Sequence, residues 1–118
     1  MAYKVSSLEE LGDGYGFRKV RGAPGVTAFG VNAIVLPPRY TTGRHSHERQ
    51  QELYIVMSGD IELALGDERR TLGPGGLARV DPSTLRSLRN TSDNDEAIYV
   101  CVGGADGYVG RDGISAPD

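Results

Sequence analysis

Glycine and proline separate almost all of the short apolar runs in this chain, and this spacing restricts the fold more than any other feature. The 118 residues include 17 glycines and six prolines. Turn signals that recur roughly every 8–12 residues leave room for short strands but not for long helices. The pattern therefore predicts an all-β protein with roughly eight to ten strands, arranged as a sandwich or barrel.

The predicted strands are the apolar runs between these turns. A long strand is expected over residues 26–36, ended by Pro37 and Pro38. A helical turn is expected over residues 6–12, with Ser7 as its cap. The tail from residue 103 onward is expected either to lie over the body or to fray. The other predicted strands are 17–20, 52–57, 60–65, 69–72, 77–80, 85–90 and 97–102.

Length, charge and cysteine count limit the class of protein. The length predicts one domain over residues 1–118, with its core at about 26–102. A net charge of −3 without a basic stripe argues against a nucleic-acid partner. The single cysteine, Cys101, is expected to pack in the core. The absence of a signal pattern and of a long apolar run predicts a cytoplasmic protein without a membrane partner.

Residues 43–59 contain the strongest functional signal. Both histidines of the chain, His45 and His47, stand two apart and are followed by Glu52. Residues i and i+2 of a strand point to the same face, so the two imidazoles are expected to project together. Two imidazoles and a carboxylate are a suitable ligand set for a divalent metal. The alternative is a pair of surface histidines with a solvated glutamate.

At this point the sequence resembles the cupins. Four residues separate His47 from Glu52 and six separate Glu52 from Gly59, as in the first cupin motif. The opening glycine of that motif is missing, because Arg39 stands at its position. The second motif is matched by the turn at residues 73–76, by Pro82 and by Asn90. It departs from the pattern at Arg86, where the resemblance implies a further metal-binding histidine.

The resemblance implies a fold, a cofactor and a chemistry. The fold is a double-stranded β-helix, or jelly-roll barrel, and family members often form homodimers. The cofactor is one divalent metal ion (manganese, iron, nickel or zinc) on His45, His47 and Glu52. The implied chemistry is of the oxygenase, isomerase or lyase type, on a small oxygen-rich or carboxylate-bearing molecule.

Arg86 leaves two interpretations open, because a guanidinium offers only donors and is not a normal metal ligand. In the first, metal binds to the two histidines and Glu52, and Arg86 lies at the rim and orients an anionic substrate. In the second, Arg86 pairs with Glu52 inside the barrel, no metal is bound, and the protein is a ligand-binding or sensor barrel.

Strand parity indicates which other side chains face the pocket. Tyr54 has the same parity as Glu52 and is expected to line the pocket, as a packing residue or as a catalytic and substrate-binding hydroxyl. Arg86 shares a face with Leu88 and Asn90, the expected inner face of that strand. Asn32 lies inside an apolar strand, and is either a substrate-binding group or a bulge residue.

Overall fold

Ten strands form two five-stranded antiparallel sheets in the computed structural model, which describes residues 4–18 and 25–117. No helix in those two ranges has the length and apolar character needed to cross a bilayer. The strands are β1 (Gly16–Arg18), β2 (Gly30–Leu36), β3 (His45–His47), β4 (Gln51–Ser58), β5 (Ile61–Leu65), β6 (Glu68–Leu72), β7 (Leu77–Val80), β8 (Arg86–Asn90), β9 (Ala97–Gly104) and β10 (Gly113–Ser115).

The strand order places the two motif strands in different sheets. The first sheet has the order β1-β2-β9-β4-β7 and the second the order β10-β3-β8-β5-β6. β4, which carries Glu52, therefore belongs to one sheet, and β3, which carries His45 and His47, belongs to the other. The architecture confirms the predicted all-β fold, and it brings residues from both sheets to one end of the space between them.

Most predicted strands are found within a residue or two of their expected bounds, and the exceptions have a physical cause. β2 begins at Gly30 and not at residue 26. Gly30 pairs with Gly103 at the end of the β2–β9 ladder, so residues 26–29 have no partner in β9. Of the predicted strand 17–20, residues 17 and 18 belong to β1, while residues 19 and 20 lie outside the described residues.

Two local predictions near turns are confirmed in detail. The Oγ of Ser7 accepts a hydrogen bond from the amide of Glu10 at 3.3 Å, as an N-cap does, although only a single turn forms. The hairpin between β5 and β6 has a two-residue loop, Gly66 and Asp67, because Leu65 pairs with Glu68.

The core lies between the sheets and is built from inward-facing residues of six strands, β2, β4, β5, β7, β8 and β9. In β4, Tyr54 and Val56 are 3% and 1% exposed, whereas Leu53 and Met57 on the other face are 37% and 56% exposed. The buried cluster consists of Ile34, Leu36, Tyr54, Val56, Ile61, Leu63, Val80, Leu88, Ala97 and Tyr99. This burial pattern follows the predicted parity of β4 and leaves Glu52 on the inner face.

Asn90 links β8 to the first sheet from within the core. It is 0% exposed, and its side-chain nitrogen, Nδ2, lies 3.3, 3.1 and 2.8 Å from the carbonyl oxygens of Leu36, Pro37 and Asp95. Its Oδ1 accepts a hydrogen bond from the amide of Ser92 at 3.0 Å. Since every polar atom of this side chain has a partner, its burial is tolerated.

Arg39, which stands where the cupin pattern has glycine, adopts a left-handed backbone conformation with φ of 63°. Such a conformation costs a residue with a side chain roughly 1–3 kcal/mol. The amide of Arg39 donates to the carbonyl of Ser92 at 3.0 Å, which holds the turn. The turn geometry that glycine favours is therefore present here although the glycine itself is not.

Gly59, the last residue of the first motif, is expected to tolerate no side chain. Its φ is +77°, and an added Cβ would lie 2.8 Å from the Cβ of Ala97 and 3.2 Å from the carbonyl oxygen of Glu96. Strain and overlap together predict that Gly59→Ala lowers the free energy of unfolding by roughly 2–5 kcal/mol, measured by urea denaturation.

Gly66→Ala is the matched control for this substitution. Gly66 also has a positive φ, +59°, but an added Cβ would meet nothing within 4 Å. Gly66→Ala therefore reports backbone strain alone, and we expect a loss of about 1 kcal/mol. Equal losses for the two variants would contradict the overlap at Ala97.

Candidate metal centre

Three side chains from β3 and β4 converge inside one end of the barrel. Ligand atoms of His45, His47 and Glu52 all lie within 4.8 Å of one another. The two imidazole rings are 5.2 Å apart between centroids and are nearly perpendicular, at 84°. The alternative of two solvent-exposed histidines with a solvated glutamate is not what the structure has, because Glu52 is 9% exposed and the histidine side chains are partly buried.

Both carboxylate oxygens of Glu52 accept hydrogen bonds from buried or partly buried donors. Oε1 accepts from the hydroxyl of Tyr54 at 2.5 Å and from Nη1 of Arg86 at 3.1 Å. Oε2 accepts from the thiol of Cys101 at 3.1 Å. The carboxylate is therefore held in one orientation, toward the two imidazoles.

His47 has one nitrogen with a hydrogen-bond partner and one without. Nδ1 lies 2.8 Å from Oδ1 of Asp112. Because a carboxylate only accepts, Nδ1 carries a proton, and in the neutral ring Nε2 therefore carries the lone pair. Nε2 is buried, lies 3.2 Å from Oε1 of Glu52 without hydrogen-bond geometry, and has no hydrogen-bond partner among residues 4–18 and 25–117. A buried lone pair beside a carboxylate is what a metal ligand presents, so His47 fits a divalent ion.

His45 is also suited to the neutral, metal-binding form. Burial lowers the pKa of His45 below the usual histidine value, and repulsion from Arg86, and from His47 when that ring is protonated, acts in the same direction. The carbonyl of Gly43 and the carboxylate of Glu52 oppose this shift without reversing it. The 3.3 Å contact from Nδ1 to the Gly43 carbonyl places the proton on Nδ1, which leaves Nε2 available.

Arg86 lies behind Glu52 and not at the rim of the pocket. Its side chain is 0% exposed. Nη1 donates to Glu52 and Nη2 donates to the carbonyl of Asp81 at 2.6 Å, while none of the described residues accepts a hydrogen bond from Nε. The rim position of the first interpretation is therefore not observed, and the Arg86–Glu52 contact of the second is. The roles of Arg86 in catalysis and substrate binding stay predictions.

The charges decide how well a metal fits. With both imidazoles neutral, Glu52 and Asp112 contribute two negative charges and Arg86 one positive charge. A guanidinium about 4 Å from a divalent ion repels it by roughly 8 kcal/mol at an effective dielectric of 20. The donor set fits a divalent ion, but Arg86 is expected to weaken its binding.

A cavity of about 450 Å³ opens beside this cluster, with His45, His47 and Glu52 in its wall. That volume is in the range of small-molecule sites. Tyr54 also lines it, as its parity predicts, and so does Asn32. The β2–β9 register is continuous through Asn32, which excludes the bulge alternative, and its role in substrate binding stays a prediction. Tyr54 is turned toward Glu52, and burial raises the pKa of its hydroxyl, which therefore stays a donor.

Two members of the cluster were not predicted as functional residues. Cys101 was expected in the core; it is partly buried, and its thiol donates to Glu52. Burial, and then the charge of Glu52, raise the pKa of this thiol. No local sequence pattern marked Asp112 as a functional residue, since it lies 65 residues beyond His47 in a glycine- and aspartate-rich tail. Only the pairing of β10 with β3 brings it to the site.

Solved structures with the same fold cover nearly the whole chain. A protein with a double-stranded β-helix domain from Klebsiella pneumoniae has a TM-score of 0.76 and 19% identity over 98% of both chains. A cupin protein from Bacteroides fragilis has a TM-score of 0.75 and 19% identity, over 89% of this chain and 86% of its own. These two likenesses confirm the double-stranded β-helix, or jelly-roll, fold.

A third structure is more similar in sequence. It is a sugar phosphate isomerase of the cupin superfamily from Silicibacter pomeroyi, with a TM-score of 0.68 and 26% identity, over 86% of this chain and 67% of its own. No protein with a curated description matches the chain. The family model described as the cupin domain matches residues 33–103, more than half of the chain and the part that carries both motifs. The chain therefore belongs to the cupin domain family.

Proposed function

We propose that this cupin holds one divalent metal ion on His45, His47 and Glu52 and acts on a small oxygen-rich or carboxylate-bearing molecule. The observation that carries the proposal is the buried Nε2 of His47, which has no hydrogen-bond partner in the described part of the chain and lies 3.2 Å from Glu52. An unpaired buried polar atom is costly unless a ligand satisfies it, and a metal ion in this position would do so.

The side chains around the ligands suit this role. A bound divalent ion would polarise a substrate oxygen as a Lewis acid. Tyr54 and Cys101 hold the Glu52 carboxylate in place with two hydrogen bonds. Asn32 offers an amide on the cavity wall and is suited to orient a substrate by donating and accepting hydrogen bonds.

The substrate class is supported by the polar wall and by one relative. The similar structure from Silicibacter pomeroyi is of a sugar phosphate isomerase, an enzyme of an oxygen-rich substrate. An isomerase-like reaction is therefore the leading candidate, and lyase- or oxygenase-like reactions are the other candidates within the same proposal. Small-molecule co-purification, followed by mass spectrometry of the denatured protein, would identify the ligand.

Elemental analysis tests the metal site. We expect the purified protein, supplied with manganese, iron, nickel or zinc, to hold about one equivalent of one of them, and His47→Ala to hold none, because it removes one of three ligands. Ser46→Ala is the matched control, since Ser46 lies between the two histidines in β3. Metal that persists in His47→Ala, or that is lost in Ser46→Ala, would contradict the assignment.

A metal-free ligand-binding barrel is the second candidate function, and the Arg86–Glu52 contact of 3.1 Å favours it. In that case the guanidinium satisfies the carboxylate, and the two neutral imidazoles bind the ligand directly. The same experiment separates the candidates, because wild-type protein without metal, even after all four ions are added, would favour the metal-free barrel.

The homodimer and the cytoplasmic location stay proposals. The outer face of the first sheet has exposed apolar side chains on β4 and β7: Leu53, Met57 and Leu77 are 37%, 56% and 62% exposed. A second copy of the chain that covered this face would remove these side chains from water.

A further inference from the structure

The C-terminal strand, β10, pairs with β3 over more residues than β8, the neighbour of β3 on its other side, does. β10 pairs with β3 at three positions, and Gly113 lies opposite His47. On its other side β3 pairs with β8 at one position only, His45 with Arg86. The amide of residue 116 also donates to the carbonyl of Arg44 at 3.0 Å. The strand that carries both histidines is therefore held largely by the C-terminal segment.

Asp112, at the start of this segment, is saturated with hydrogen bonds. Oδ2 accepts from the backbone amides of Arg49 and Gln50, both at 2.9 Å. Oδ1 accepts from His47 Nδ1 at 2.8 Å and from the Gln50 side chain at 2.5 Å. Burial opposes ionisation of Asp112, but these four bonds outweigh it and hold the pKa of the carboxyl below its usual range.

We propose that Asp112 is a positioning residue: by accepting from Nδ1 it holds His47 in the tautomer whose Nε2 lone pair faces Glu52. The inference deepens the proposed metal site and rests on it for its purpose, but the tautomer itself is a property of the metal-free protein. The C-terminal segment thereby keeps His47, on β3, in the form that can bind a metal through Nε2.

One other group contacts Nδ1 of His47, and it does not account for the tautomer. The side-chain nitrogen of Gln50 lies 3.2 Å away, a longer contact than that of Asp112. An amide nitrogen donates, so it would favour the opposite tautomer. Asp112 is the charged and closer partner, and a charge-assisted hydrogen bond is roughly twice as strong as a neutral one.

Asp112→Asn is expected to reverse the tautomer without removing an atom. The two backbone amides at Oδ2 require an acceptor, so the asparagine oxygen must take that position. The asparagine NH₂ then faces Nδ1 of His47 and the Gln50 side chain, whose amide must turn to present its oxygen; one N–H donates to Gln50 and the other to Nδ1. The proton of His47 moves to Nε2, and the lone pair needed by a metal is lost.

The tautomer is read directly by ¹⁵N NMR of the imidazole rings. The measurement uses metal-free protein at a pH high enough that the ring ¹⁵N shifts no longer change with pH, so that both imidazoles are neutral. The chain has two histidines, so His45→Gln assigns the two rings. We expect Nδ1–H for His47 in the wild type and Nε2–H in Asp112→Asn. Asp81→Asn is the matched control, because Asp81 bonds the Gln51 side chain and contacts neither ring.

Two results would overturn the inference: Nε2–H at His47 in the wild type, or Nδ1–H that persists in Asp112→Asn. Should Asp112→Asn fail to fold, Gln50→Ala decides the question. It leaves Asp112 as the remaining partner at Nδ1, so Nδ1–H must persist, and its loss would mean that Asp112 does not hold the tautomer.

Metal titration separates this inference from the proposed function. Loss of an outer partner of a metal ligand typically weakens metal binding about 10–100-fold, and we expect such a loss for Asp112→Asn. If the wild type binds no metal but the tautomer changes as described, the proposed function fails and the positioning role stands. If metal binding weakens while the tautomer is unchanged, the positioning role fails.

Discussion

Arg86→Met is expected to lower the free energy of unfolding by about 3–5 kcal/mol, since it removes one partner of a buried ion pair. The Arg86 side chain is 0% exposed, and the carboxylate of Glu52 would remain in the barrel without its cation. The carbonyl of Asp81 would lose its donor at 2.6 Å as well. Chemical denaturation at neutral pH measures the effect.

Arg89→Met is the matched control for this prediction. Arg89 lies on the same strand, β8, but on its exposed face, and its loss is expected to change stability by less than ~0.5 kcal/mol. A second comparison uses the double variant that combines Arg86→Met with Glu52→Gln. Removing both charges should recover much of the lost stability, because the cost arises from the unpaired carboxylate. Additive losses in the double variant would contradict the importance of the pair.

Arg86→His is expected to raise metal affinity by roughly 100-fold or more. The substitution removes a positive charge whose repulsion of a divalent ion amounts to roughly 8 kcal/mol at 4 Å, and it places an imidazole at the position paired with His45. Part of this gain is lost to the altered packing around Glu52. Isothermal titration with manganese, nickel or zinc measures the change.

The corresponding control is Arg89→His, which adds the same side chain on the outer face of β8 and should leave metal affinity unchanged. An affinity that is equal in wild type and Arg86→His would mean that the guanidinium does not oppose the ion. It would also remove the electrostatic reason for a metal-free barrel.

Local pattern was sufficient to predict the inner faces of the strands. Alternation placed Arg86, Leu88 and Asn90 on one face of β8, and they are 1%, 2% and 0% exposed. The same rule placed Tyr54 beside Glu52 in β4. Side-chain direction in a strand depends only on parity. The buried face of a strand can therefore be predicted without knowledge of its partner strand.

Predictions that depended on a partner strand were weaker. Residues 26–29 resemble the strand that follows them, but the β2–β9 ladder ends at the pair Gly30–Gly103, so these residues have no partner in it. The tail was expected to lie over the body or to fray, and it adds the strand β10 to the second sheet. Pairing across the chain is a tertiary property and leaves no local periodicity in the sequence.

Local patterns in the chain were enough to predict the all-β class, the faces of the strands and the trio of His45, His47 and Glu52, because turns, alternation and short spacings act within a few residues. The tertiary structure alone decided that Arg86 lies behind Glu52 and that Asp112, 65 residues from His47, holds that imidazole. These contacts join segments far apart in the chain, and only the closing of two sheets and the pairing of β10 with β3 brings them within hydrogen-bond distance.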